Sequence, residues 1–340
     1  MIHNRLFKEV FYRAHNMVKE VSLIIPSQNA EKKLLQLLSH IPSWEVTPSE
    51  IIIIDSSQKK FCIPENFQLF TKKHNITLLV IYGKNLFPGH ARNIGVINST
   101  NPLLAFLDTS THPSERWLAS GLNLISQNNS QGVWGNTYYQ ADSYMSQIIR
   151  ASTFGATPIK TLPGSIFDKN IFDRCGLFIE STRAGEDGDW MGRADFHNIT
   201  LSTPEEFLNY DELNNTTLKK LLKKWFRNYS FSGRLSHSRA HKDFYFYIIS
   251  FTAVLIAYNW NRVIASYQPD SIYFIPYITR ASVLALFIIY MVLRGILIPR
   301  KKGVNFRFIF PINFIVISFM SLLIDLTKAL AFGFSRFIKK

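Results

Sequence analysis

Apolar positions in the first 140 residues fall into short runs separated by polar segments. Residues 21–26 (VSLIIP) are a β-branched run closed by proline, which predicts a buried strand. Residues 30–41 place Leu34, Leu35, Leu37, Leu38 and Ile41 at helical spacing. Residues 51–54 read as a second strand ended by Asp55, residues 77–82 as a third, and residues 103–107 as a fourth ended by Asp108. The Pro88-Gly89 turn opens a helix over 90–98; a further helix is predicted over 114–126 and a strand over 133–136. Strands alternating with helices predict an α/β fold with a mostly parallel sheet. Such sheets bind ligands outside the carboxyl ends of their strands, so the segments after Pro26, Ile54, Tyr82 and Leu107 are the ones to search.

From residue 244 onward the chain is mostly Phe, Ile, Leu, Val and Tyr, and this shift marks a domain boundary. Three apolar stretches cover 244–260, 272–298 and 308–332. A membrane-crossing helix needs about 20 predominantly apolar residues. The first stretch is short, the second carries Pro276, Arg280 and Arg294, and the third holds Asp325 and Lys328 one turn apart. Two or three transmembrane helices are expected, the first two forming a hairpin with a short outer loop over 261–271. The third either spans or lies in the interface as an amphipathic helix. The expected organisation is an α/β domain over 1–215, a basic membrane-proximal segment over 216–243 and a membrane region over 244–340.

The net charge of +14 changes this picture only through its distribution. Lys219, Lys220, Lys223, Lys224, Arg227, Arg234, Arg239 and Lys242 precede the apolar region, and Arg300, Lys301, Lys302 and Arg307 lie between two apolar stretches. Basic residues flanking spans read as cytoplasmic, where they meet anionic headgroups; a solvated helix face is the plainer alternative. The expected partner is therefore membrane lipid and not nucleic acid. Cys62 and Cys175 show no metal or disulfide spacing, which fits a reducing compartment. The first twenty residues lack a long apolar stretch. No signal peptide is therefore expected, and the α/β domain should stay in the cytoplasm, on the inner (plasma) membrane. No G-x-G-x-x-G follows the first strand, which disfavours a dinucleotide-binding site.

Four polar segments could carry chemistry. Asp55, at a strand end, can accept hydrogen bonds from a nucleobase or ribose, though strand ends also use Asp as a turn former. Arg92 sits in the first turn of a helix, where anions bind and a guanidinium suits phosphate oxygens; a solvated face is the alternative. Asp108 emerges from a buried strand and can ligate a hard divalent cation, with Ser110 and His112 nearby, or it simply makes a turn. Glu186, Asp187 and Asp189 crowd three acids into four residues. Repulsion raises a pKa there, as suits a general base; an acidic helix N-terminus is the other reading.

In order, spacing and flanks these segments resemble the inverting family 2 glycosyltransferases, which have a GT-A nucleotide-sugar-binding fold. Residues 21–29 (VSLIIPSQN) resemble the family's opening strand V-S-V-I-I-P-x-Y-N, and residues 50–57 resemble its second strand E-I-I-V-V-D-D-x-S. Residues 91–95 give A-R-N-x-G, residues 106–113 resemble F-L-D-x-D-x-x-x-P, and residues 164–178 resemble a downstream G-S…F…G-x-F run. Glu186-Asp187 matches the family's E-D pair. The resemblance implies a membrane-anchored enzyme that moves a sugar from a nucleotide-sugar donor, UDP-linked by family habit, to a lipid-linked or saccharide acceptor in cell-surface polysaccharide or glycolipid synthesis. It implies that Asp55 holds the base in a pocket with Pro26, Ser27 and Asn29. Arg92 would lie near base and phosphates. Asp108, with Ser110 and His112, would bind donor and a divalent cation (Mg or Mn). Asp187, beside Glu186, would be the general base. Trp190 could stack on an acceptor sugar or pack in the core. Two positions depart from the pattern: Ser110 replaces the second Asp of D-x-D, and Ser56 replaces an acid after Asp55. The alternative is a degenerate nucleotide-sugar-binding membrane protein without transfer. Lys224-Trp225 imitates only the end of the Q-x-x-R-W of processive synthases, which favours single-sugar transfer.

Overall fold

A computed structural model describes residues 21–235, 240–266 and 268–335. The first twenty residues and Arg239, both named above, lie outside them. The chain forms two compact units, one of Met1–Gln140, Pro158–Asn215 and Leu235–His237, the other of Ala141–Thr157, Thr216–Arg234 and Ser238–Lys340. Residues 141–157, expected within a contiguous 1–215 domain, thus belong to the second unit.

The first unit is built on one sheet. Its strands are β1 (Val21–Ser27), β2 (Glu50–Asp55), β3 (Thr77–Tyr82), β4 (Leu103–Phe106), β5 (Thr111–His112), β6 (Gly132–Tyr139), β7 (Ile159–Asp168) and β8 (Leu208–Tyr210), in the spatial order β3-β2-β1-β4-β7-β6-β8-β5. β3, β2, β1 and β4 run parallel, and β7 enters antiparallel beside β4. The sheet is therefore mixed.

The parallel half is apolar on both faces because side chains alternate across a strand. Leu23 and Ile25 of β1 and Ile51 and Ile53 of β2 enter one core with Leu34, Leu37 and Leu38 of helix α1 (Glu31–His40). Ile24, Ile52 and Ile54 face the other core with Phe106, Trp134 and Trp190. Each such side chain contributes roughly 1.5–3 kcal/mol on burial, which explains uninterrupted isoleucine runs where a one-sided strand would alternate.

The remaining helices of this unit are α2 (Glu65–Lys73), α3 (Pro88–Asn98), α4 (Trp117–Asn128), α6 (Ile171–Cys175) and α7 (Glu186–Phe196). Pro88 starts α3 where its missing N–H costs nothing. Gly95 lets α3 lie close on the sheet: a Cβ there would stand 2.4 Å from Ile24 Cγ2.

In the second unit, α5 (Tyr144–Ser152), α8 (Leu218–Ser232) and α9 (Ala240–Val263) accompany two helices long and apolar enough to cross a membrane, α10 (Ile278–Lys301) and α11 (Asn313–Ser335). The 244–260 stretch falls within α9, outside that pair. α10 and α11 approach closely at Gly295, where a Cβ would stand 2.5 Å from the Phe314 carbonyl oxygen. Arg294 of α10 and Asp325 of α11 form an ion pair at 2.8 Å, so neither charge is buried alone.

Candidate active site

The carboxyl ends of β1, β2 and β4 open into a cleft of about 860 Å³. Ser27, Asn29, Asp55 and Ser110 line it, as does Tyr210 at the end of β8; Pro26, one residue earlier on β1, does not. Asp55 is 1% exposed. Its Oδ1 accepts from Ser57 Oγ at 2.6 Å, and Ser57 Oγ also accepts from the Asn29 backbone N–H at 2.6 Å. Asn29 adopts left-handed backbone (φ 51°), which turns the chain out of β1. Asp55 Oδ2 is buried without a hydrogen-bond partner. An unsatisfied buried carboxylate oxygen costs about 1–3 kcal/mol or more, and Asp55 lines the cleft.

The second cluster centres on Arg92, in the first turns of α3. Its Nη1 donates to Glu186 Oε1 at 2.8 Å and its Nη2 to Asp108 Oδ1 at 3.0 Å. The side chain is only 6% exposed. Burial opposes the Arg92 charge, but Asp108 and Glu186 outweigh it and hold the guanidinium above its usual pKa. Arg92 therefore ties the end of β4 to the start of α7, and does not present its guanidinium to the cleft as the sequence led us to expect. Asn93 supports the same join. It receives the Phe178 N–H at 2.9 Å and donates to the Phe178 carbonyl at 2.8 Å.

Glu186 and Asp187 begin α7 after Gly185, which takes φ 91° as N-cap. Glu186 is buried, with Oε2 unpartnered. Burial pushes its pKa up, the neighbouring Asp187 charge pushes the same way, and Arg92 pulls it back in part. Asp187 is half-buried and accepts only the adjacent Gly188 N–H at 2.7 Å. Of the two acids, Asp187 is the one open to a substrate proton.

Trp190 is not an acceptor platform. It is fully buried, its indole N–H donates to the Gly176 carbonyl at 2.9 Å, and its ring packs on Phe167 and Phe172 at 5.0 Å. One helical turn from Glu186, it fastens α7 to the core instead.

These placements join the ends of three parallel strands and one acidic helix start at a single edge. Residues 22–178 match the family described as Glycosyl transferase family 2. Over those residues, a little under half of its length, the chain is similar to a family 2 glycosyltransferase domain. Glycosyltransferase AglE of Haloferax volcanii is 25% identical over 219 residues, 61% of this chain and 71% of that protein. An uncharacterized glycosyltransferase of Rickettsia bellii is 25% identical over 203 residues, covering 53% of this chain but 28% of that protein's length. Among solved structures, the mannosyltransferase PcManGT from Pyrobaculum calidifontis, in complex with GDP-Man and Mn2+, superposes with a TM-score of 0.51 at 15% identity, covering 94% of this chain and 92% of that one. The fold is GT-A-like.

In this domain the expected divalent cation meets a poor donor set. Hard cations take several oxygen ligands with carboxylates among them. One oxygen of Asp108 is engaged by Arg92, and Ser110 Oγ accepts from the Lys33 ammonium at 3.0 Å. His112 lies on β5, its pKa lowered by burial, with the His40 and Lys33 charges adding to that and Asp211 opposing. Among the described residues no three His, Cys, Asp or Glu side chains converge as a metal-binding group. The residues present do not fit a D-x-D cation site.

Lys33, Ser57 and Tyr210 were absent from the sequence-derived site. Ser57 had a signal, the serine that closes the second-strand motif. Tyr210 had none, since it is the pairing of β8 with β5 and β6 that brings it to the cleft.

Proposed function

We propose that the protein is an inverting, membrane-anchored glycosyltransferase moving one hexose from a nucleotide-sugar donor to a lipid-linked or saccharide acceptor. The observation that carries this is the Arg92 bridge, which fixes Asp108 at the strand ends beside the Glu186-Asp187 helix start. Asp55 Oδ2 accepts a ring N–H of the nucleobase, for which the family resemblance supports uracil. Asp187 takes the proton of the acceptor hydroxyl as that oxygen attacks the anomeric carbon. The bond from that carbon to the diphosphate oxygen breaks from the opposite face, the nucleoside diphosphate leaves with the electron pair, and the configuration inverts. Glu186 and Arg92 position Asp187 and do not touch the reacting atoms.

The apolar helices α10 and α11 support anchoring, and the basic residues between them support a cytoplasmic catalytic unit on the inner membrane. The amphipathic α8 adds exposed Lys219, Lys220 and Lys223 to that side of the reading. The test is nucleotide release by the detergent-purified full chain over a panel of UDP- and GDP-sugars, with and without a membrane-lipid extract, and with the product's anomeric configuration read by NMR. Release from one donor, dependent on the extract and giving inverted product, is expected. Retained configuration overturns the assignment of Asp187. A second reading, donor binding without transfer, draws on Ser110 in place of an acid; it predicts binding with no release over any acceptor.

A further inference from the structure

The donor cleft contains a cation placed where the D-x-D pattern is broken. Lys33 stands in the first turn of α1, directly beyond the end of β1, and its ammonium donates to Ser110 Oγ at 3.0 Å. Both residues line the cleft that holds Asp55. Tyr210 lines the same cleft. A serine hydroxyl has one donor and two acceptor sites, so Ser110 can hold Lys33 without neutralising the ammonium. An aspartate at this position would form an ion pair with Lys33 and cancel its charge.

Geometry then dictates what the ammonium meets. A nucleotide whose base sits on Asp55, at the end of β2, must run its diphosphate across the end of β1 toward Thr109 and Ser110, after β4. Lys33 projects from the connection after β1, on that route. A diphosphate needs a compensating positive charge both to bind and to leave, and the D-x-D residues here offer a poor cation site.

We propose that Lys33, held by Ser110, supplies the charge on the donor diphosphate that a divalent cation supplies in a D-x-D site, so that this chain binds its nucleotide sugar without divalent metal. The Lys33–Ser110 contact and the loss of the second D-x-D acid carry the inference, which rests on the cleft being the donor site.

The test is calorimetric binding of UDP, GDP, CDP, ADP and dTDP, and of the matching nucleosides, to the detergent-purified full chain in EDTA and in Mg²⁺ or Mn²⁺. One nucleoside diphosphate is expected to bind with an affinity that changes less than about threefold between EDTA and metal, a small step on the tenfold-per-1.4-kcal/mol scale. Lys33→Gln should weaken that binding by roughly ten- to hundredfold, the range for one charge-assisted hydrogen bond, and leave the nucleoside unaffected. Ser110→Asp should weaken binding in EDTA and regain it with metal. Binding that requires metal in the wild type, or that is unchanged in Lys33→Gln, overturns the role of Lys33 and leaves the donor cleft standing. Failure of every nucleotide to bind under all conditions overturns the donor cleft and this inference together.

Discussion

Three buried carboxylates stand at strand ends or close to them, and they are satisfied in different ways. Glu50, at the start of β2, accepts from Ser22 and from the Thr100 N–H and hydroxyl, and its bonds are internal. Asp55, at the other end of the same strand, keeps one oxygen unpartnered at the cleft. Glu186 shares Arg92 with Asp108. Folding alone is served by the Glu50 arrangement. An orphaned acceptor facing a cleft is a cost that folding does not require, and it becomes useful only when a ligand supplies the missing donor. The Arg92 cluster is intermediate: it pairs its charges, yet spends them joining two segments far apart in sequence. On the proposed reading, the nucleotide end of the site receives and the reaction end holds position.

The strongest way to break this contrast is at Asp187, the acid the Arg92 cluster positions but does not consume. Asp187→Asn keeps the shape and removes the base, and transfer should fall by about 10²–10⁴ while donor affinity is unchanged. Kinetics paired with calorimetry separate the two, and equal transfer by variant and wild type removes Asp187 from the chemistry. Next in size is Arg92→Met. It strips the cation from a nearly buried Glu186, a change of about 3–5 kcal/mol when one partner of a buried pair is deleted. Urea unfolding followed by the buried Trp134 and Trp190 should show the loss, toward the bottom of that range if Glu186 takes up a proton. A loss below about 1 kcal/mol, the scale of an exposed pair, means the cluster does not hold α7 in place.

Asp55→Asn sharpens the other side of the comparison. The amide preserves the acceptor for Ser57 but turns the orphan oxygen into a second donor, facing a base N–H. Nucleotide affinity should drop roughly tenfold to a hundredfold, the equivalent of about 1–3 kcal/mol, with folding stability unchanged or improved. Calorimetry with nucleoside alone isolates the effect, because no phosphate contact is involved.

The receiving end was the more legible in sequence. β1, β2 and β4 are buried on both faces, so their apolar runs end abruptly where the chain reaches the ligand edge, and Asp55 and Asp108 mark those ends. The holding end depends on contacts between segments that no local pattern encodes. Arg92 looked like a phosphate ligand because its spacing to Asp108 and Glu186 is 16 and 94 residues, and only the fold brings them together. Trp190 follows a polar acidic run and left stacking and core packing both open, and its own helix turns it into the core. β7 carries Pro163-Gly164, a pair no strand pattern predicts. In the sheet the pair sits at an irregularity where β6 shifts register between Val133 and Gly135, and Gly164 takes φ 90°. Lys33 carries no sequence signal beyond its place in the first turn after β1.

The finest distinction between the two ends lies in their response to pH. Burial and Asp187 raise the Glu186 pKa in the folded state above its unfolded value. The folded protein then binds more protons than the unfolded chain between those two values, so stability is full below the ordinary glutamate range and declines as pH rises through the raised value. Glu186→Gln removes the titrating group while retaining an acceptor for Arg92, and that decline should flatten, with little change in stability at acid pH. Urea midpoints measured at a series of pH values report the slope directly. A variant that keeps the wild-type slope would place the titration elsewhere and leave Arg92 compensating Glu186 fully. A flattened slope would mean that the holding end stays partly uncompensated even with Arg92 in place.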